Sequence, residues 1–245
     1  MESIDASLLA IGFAIFVFAG TVKGALAIGL PTVSVVFLAM IVDVRLAISL
    51  MLFPLFFSNL YLAVRGGNYL RTLHRYRYFI AVQSITIVIV SILTSDFESE
   101  QLRVVLGWGV IIFAITGLMN VFPIVDEKLD RFLQVGLGLL AGFLGGTIAV
   151  WAPAVVIYLS MRGIQREEFA RASGMIITVG AIPLLLMHAY LGHLDVANAS
   201  LSLLALIPVY LGLVVGEWIR EKISEKIFRR SLLILFLLLG MNMVL

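Results

Sequence analysis

The chain has 245 residues, 62% of them hydrophobic and only 13% charged, with a formal net charge of +2 and a mean hydropathy of +1.11. A soluble domain carries about 25% charged residues, so a water-solvated globule is excluded and the bilayer is the expected solvent; the small net charge gives no reason to expect nucleic acid as a partner. There is no cysteine, which excludes disulfides, thiol catalysis and cysteine metal sites.

The N-terminal Met1-Glu2-Ser3-Ile4-Asp5 is acidic and leads straight into a long apolar run. A cleaved signal peptide has a basic start and a short core, so the first helix is expected to remain. Spanning helices need roughly 20 apolar residues. Apolar segments follow at Ala6–Val42, Leu46–Val64, Phe79–Leu93, Leu102–Phe122, Phe132–Met161, Ala172–Leu191, Ala199–Ile219 and Ser231–Leu245, separated by short polar loops. The expectation is an all-α, polytopic integral membrane protein with about eight hydrophobic segments.

Two of these segments are too long for one crossing, and both are interrupted by glycine and proline. The first contains Gly20, Gly24, Gly29 and Pro31; the second contains Gly142, Gly145, Gly146 and Pro153. They superpose, Gly20 on Gly142, Gly24 on Gly146, Ala27 on Ala149 and Pro31 on Pro153. Further on, Ala47 falls on Ala172, Gly67 on Gly192 and Ser99-Glu100 on Ser224-Glu225. A repeat of this period is an internal duplication, with residues 1–125 as the first membrane repeat and 126–245 as the second within one membrane domain.

Counting Lys and Arg orients the chain. If each long segment dips in and returns as a hairpin, loops 65–78, 123–131, 162–171 and 219–230 share one face and hold 14 of the 17 cations, leaving Arg45 and Arg103 on the other. If each crosses once, the split is ten against six, with Lys23 left out. The bias toward cytoplasmic cations favours the hairpins. Both termini then lie outside and the halves are inverted, a recurring transporter design.

The broken segments are the first candidate site. A helix interrupted inside lipid exposes N–H groups that favour anions, and two breaks related by the repeat would surround one site; glycines in membrane helices also serve close packing. Lys23, the one charge inside the first long segment, is a functional candidate by position, and snorkelling to the surface is its other reading. Asn59 and Ser58 lie mid-helix and need partners. Trp151 and Tyr158 are candidate cavity residues or packing aromatics. His188, with His193 and Asp195, is read first as an interfacial histidine and second as a proton carrier. Glu217 is expected to pair locally near Trp218 and Arg220. The basic, aromatic run Arg71–Arg77 fits anionic lipid better than nucleic acid.

The run Gly20-x-x-x-Gly24-x-x-x-x-Gly29-x-Pro31, then Phe53-Pro54-Leu55-Phe56-Phe57-Ser58-Asn59, resembles the sulfite exporter TauE/SafE family. So do Gly142-x-x-Gly145-Gly146 with Pro153 and Tyr158-Leu159, and Ser202–Pro208 followed by Gly212, Gly216 and Phe228-Arg229-Arg230. The chain departs from many relatives in lacking a glycine triplet at Gly29-Leu30-Pro31 and in having Tyr61 where glutamine is frequent. The resemblance implies transport of a small anion such as sulfite, a sulfonate or another organic acid, across the plasma membrane (a bacterial inner membrane). Gly20, Lys23, Gly24, Gly29, Pro31, Asn59, Gly142, Gly145, Gly146, Trp151, Pro153 and Tyr158 are the candidate substrate-binding residues, with lipid around them and a proton or sodium ion as candidate coupling partner. No HExxH, GxSxG or Walker A sequence occurs, so neither an enzyme nor a cofactor or metal is expected; an anion channel is the alternative.

Overall fold

The computed structural model describes residues 6–65, 67–119, 122–222 and 224–245. These residues form twelve α-helices and no strand: α1 (Ala6–Leu26), α2 (Leu30–Leu38), α3 (Val44–Val64), α4 (Tyr69–Arg75), α5 (Arg77–Leu93), α6 (Ser99–Met119), α7 (Asp130–Ile148), α8 (Ala152–Met161), α9 (Arg166–Tyr190), α10 (Val196–Leu204), α11 (Leu206–Lys222) and α12 (Glu225–Val244). The first six recur in order as the last six: a long arm and a short arm, a long helix, a short helix running into a longer one, and a final long helix. Seven stretches of helix among the described residues are long and apolar enough to cross a membrane, and α4 with α5, bent by 73°, makes an eighth.

The expected unwinding over 20–31 and 142–153 narrows to three residues in each half. Gly20, Gly24, Gly142, Gly145 and Gly146 all lie inside regular helix, and the chain leaves helix only at 27–29 and 149–151. The repeat holds to the residue there: Ala27 (φ 62°) and Ala149 (φ 55°) both take the left-handed conformation, which costs a non-glycine residue about 1–2 kcal/mol. Gly29 (φ 106°) then starts α2, and Pro31 and Pro153 sit in the first turns of α2 and α8, where a missing N–H leaves nothing unsatisfied.

The glycines inside the helices bring backbones together across the repeats. A Cβ on Gly20 or Gly24 would lie 2.3 Å from the carbonyl oxygen of Val209 or Leu213, and one on Gly212 or Gly216 would lie 2.1 Å from that of Val17 or Thr21. α1 and α11 therefore run parallel in direct contact. The matching seam joins α7 to α5, where Gly138, Gly142 and Gly146 face Phe79, Gln83 and Ile87 in turn. α3 lies antiparallel to α9, with Gly174 against Asn59 and Ala63, and α6 antiparallel to α12, with Gly107 against Gly240.

Ion pairs show which loops share an end. Arg65 reaches Glu217 (3.8 Å), Arg75 pairs with Glu168, and Arg162 meets Glu127 (3.6 Å) and Asp130 (3.2 Å). Gln134 Nε2 donates to the Arg75 carbonyl at 3.0 Å. The ends of α3, α4, α8 and α11 and the starts of α7 and α9 thus gather at one cation-rich end, as the hairpin topology requires. α1 runs toward that end beside α11 and α7 runs away from it, so the two repeats are inverted. Glu217 bridges to another helix rather than pairing locally, and Lys222 stacks on Trp218 instead (3.7 Å).

Gly212→Ala is expected to abolish or strongly lower the yield of monodisperse protein, because the neighbour it strikes is backbone; overpacking costs about 1–3 kcal/mol where side chains yield and more here. Gly136→Ala, with nothing within 4 Å, should leave thermal stability unchanged.

Candidate anion-binding cavity

Pro54 interrupts the hydrogen-bond ladder of α3, because proline has no N–H to give. Around it, polar side chains bond to the backbone of α3. The Phe53 N–H donates to Ser202 Oγ of α10 at 3.1 Å, the Ser58 hydroxyl donates to the Pro54 carbonyl, and Asn59 Nδ2 donates to the Leu55 carbonyl at 2.8 Å. That last bond turns Asn59 Oδ1 outward from its helix, where it accepts a hydrogen bond from Lys23 Nζ of α1 at 2.7 Å.

Lys23 does not reach the surface: it is 2% exposed and Asn59 is 1% exposed. Among the described residues no carboxylate pairs with Lys23. A charge on Lys23, held by one neutral amide, would keep most of its desolvation cost of several kcal/mol per ion until a counter-charge arrives. Lys23 lines a cavity of about 1010 Å³ bounded by α1, α3, α9 and α11, together with Gly24, Ala27, Ser58, Arg65, Arg171 and Arg220. Arg171, partly buried, forms no ion pair among the described residues, and its Nε is buried without a hydrogen-bond partner. Lys23 and Arg171, neither of them ion-paired among the described residues, therefore share one cavity with Glu167 and Glu217 on its lining. An anion entering from the cation-rich end meets a field of its opposite sign.

The family profile described as "Sulfite exporter TauE/SafE" matches residues 12–243, spanning both repeats and both helix breaks. The chain belongs to the sulfite exporter TauE/SafE family. It is therefore a multi-pass membrane protein of a transporter family. Neither the curated proteins nor the solved structures gave a match.

In this TauE/SafE member the two breaks differ. Gly29 and Ala27 border a second cavity of about 370 Å³ with Ser160 and Arg229, so the first break lies between two cavities. At the second break the counterpart of Lys23 is Gly145 and the counterpart of Gly29 is Trp151. The indole folds into the space a side chain at Gly145 would take, with ring atoms 2.7 Å from the added Cβ. Trp151 is fully buried and lines neither of the cavities described. Tyr158 lines neither as well: its hydroxyl donates to Asp130 (3.0 Å) and its ring packs on Tyr76 and Phe79. Gly20, Gly142 and Gly146 are packing surfaces, and of the predicted glycines Gly24 and Gly29 line these two cavities. Pro31 and Pro153 start the short arms and lie outside both linings.

At the end away from the cation-rich loops, α3 starts beneath a polar lock. The Asp43 carboxylate accepts from the Arg45 N–H (2.8 Å) and Leu46 N–H (3.4 Å). The Arg45 guanidinium donates to the carbonyls of Ser95 (2.7 Å), Thr94 (3.3 Å) and Phe97, tying α3 to the end of α5. The Ser49 hydroxyl reaches the His193 carbonyl (3.0 Å) and lies 3.4 Å from His188 Nδ1. His188 is 6% exposed and packs on His193, so it is an inner residue and not an interfacial one. Burial, then the charge of Arg45, holds His193 below its ordinary pKa against the pull of Asp43.

Sequence reasoning missed Arg171, which it read only as a loop cation, and Gln83, which is fully buried in α5 and donates to the Ile176 carbonyl. A glutamine inside an otherwise apolar segment was the available signal for Gln83. Nothing in the pattern marked Arg171, because the cavity that gives it meaning is made by three other helices.

Trp151→Ala should lower stability by about 3–5 kcal/mol through the void it leaves, and Trp151→Phe by less, read as thermal unfolding. Asp43 supplies a pH test. Burial raises its carboxyl pKa, but the hydrogen bonds from Ser99 and the Arg45 and Leu46 N–H groups, with the Arg45 charge, hold it below 3.8 overall. A carboxyl depressed in the folded state stabilises above its unfolded value and loses that contribution as pH falls through the folded one. The stability gap between wild type and Asp43→Ala is therefore expected at neutral pH and should close in strong acid.

Proposed function

We propose that the chain is a secondary transporter carrying a small anion (sulfite, an organosulfonate or a similar organic acid) across the plasma membrane, the bacterial inner membrane, by alternating access. The observation that carries this reading is Lys23, a buried cation with an amide as its only hydrogen-bond partner among the described residues, on the wall of a cavity at the cation-rich end. An arriving anion supplies the missing counter-charge. Arg171 is the second contact, and Asn59 orients the ammonium. Membership in a transporter family supports transport over catalysis.

The inverted repeats, dividing near residues 125 and 126, interlock through α1 with α11 and α5 with α7, so the bodies whose relative motion would move access from one end to the other each draw helices from both repeats. A proton or a sodium ion is the candidate coupling partner.

Anion flux into proteoliposomes under imposed pH and sodium gradients tests the reading. Saturable flux of one anion is expected, reduced tenfold or more in Lys23→Met and Arg171→Gln, since removing one member of a buried charge contact costs about 2–5 kcal/mol. Asn59→Ala should raise the half-saturating concentration more than it lowers the maximal rate. Full flux in folded Lys23→Met would move the site elsewhere, and flux that never saturates would replace alternating access with a channel.

A further inference from the structure

Resting on the anion-transport reading, the shape of the cavity says what kind of anion it takes. A water molecule occupies about 30 Å³ and a bare oxyanion takes the room of a few waters, whereas this cavity measures about 1010 Å³, the upper range for pockets that hold drug-sized molecules. Its polarity is uneven. The cations Lys23 and Arg171 and the hydroxyl of Ser58 lie on α1, α9 and the end of α3, while Phe57, Tyr61, Leu62, Ile207, Tyr210 and Val214 form a long apolar wall on α3 and α11.

The apolar wall on α11 runs from Ile207 to Val214, seven residues or about 10 Å of helix. Several of its side chains are not covered by protein: Tyr210 is 67% exposed, Ile207 58% and Tyr61 55%. These residues lie within the apolar spans Val44–Val64 and Val196–Arg220, so the cavity is a groove between α3 and α11 whose side faces the bilayer. A site for a bare oxyanion would need donors all round it. Here the Ser58 hydroxyl is already given to the Pro54 carbonyl, and apart from Arg65, Glu167, Glu217 and Arg220 at the cation-rich end the lining offers Lys23 and Arg171 on α1 and α9 and hydrocarbon on α3 and α11.

We infer that the ligand of this cavity is an amphiphilic anion, with its charged head at Lys23 and Arg171 and an apolar body of several carbons along the groove between α3 and α11. Such a molecule enters either from water, as a short alkyl or aryl sulfonate or carboxylate, or from the bilayer, as a single-chain acid.

Binding to the full-length protein in lipid nanodiscs, read as thermal stabilisation against ligand concentration, tests this with alkanesulfonates of two, four, six and eight carbons. Burying a methylene is worth up to about fourfold in affinity, and a groove open on one side keeps part of that. Hexanesulfonate is expected to bind at least tenfold tighter than ethanesulfonate, and Val214→Trp, which fills the groove, should lower that ratio to near one. Hexylammonium, with the same tail and the opposite charge, should not stabilise the protein; equal stabilisation by hexylammonium overturns the inference. A flat series, with ethanesulfonate or sulfite binding as well as the longer chains, overturns the apolar-body inference and leaves the anion-transport reading standing. Stabilisation by no anion of any length removes both. Laurate built into the nanodisc separates the sources: competition that follows its mole fraction in the bilayer assigns entry from the lipid side, and competition only by chains added to water assigns entry from the aqueous end.

Discussion

A methyl group added at Gly212 would sit 2.1 Å from the Val17 carbonyl oxygen, and one added at Gly216 would sit 2.1 Å from that of Thr21. At that spacing two helix backbones touch with no side chain between them. In a bilayer, where lipid tails compete on equal terms with leucine for apolar surface, close contact of this kind is one of the few forces that hold helices in register. The rest of the architecture follows from it. The seam ties α1 of the first repeat to α11 of the second, and its counterpart ties α7 to α5, so neither repeat packs as a separate body. The same seam brings Lys23, one residue from Gly24, into the angle between α3 and α11.

The seam also explains how a lysine can be buried there. α3 carries Pro54 inside it, and the polar residues one turn further on, Ser58 and Asn59, bond back to carbonyls of their own helix. Asn59 is spent on its own helix through Nδ2 and offers Oδ1 to Lys23. The ammonium is held in place but not neutralised. In the second repeat the same position is glycine and the space is filled by Trp151. The duplication thus supplies one frame twice, and substitution has turned one copy toward charge and the other toward packing. Only the first break borders a described cavity; the second is closed by an indole.

Much of this was legible in the chain. Hydropathy alone establishes the bilayer as solvent, and the glycine-proline pattern establishes the duplication to the residue, since Ala27 and Ala149, paired by alignment, are both left-handed. The distribution of Lys and Arg establishes which loops share an end, because charge cannot be left in lipid and so must follow the surface. The glycines were harder. Their spacing is the same whether they unwind a helix or let two helices meet, and what separates the readings is the neighbour, which the sequence does not contain.

What the sequence by itself determined is the kind of protein, the repeating pattern and which loops share an end, all of which depend on transfer between water and hydrocarbon and so on residue type in order along the chain. What only the tertiary structure decided is the site. Lys23 lies 36 residues from Asn59, and Arg171 lies on a helix of the other repeat. Neither long-range packing nor which groups lie beside a buried lysine can be read from local pattern, because both are properties of the space between helices.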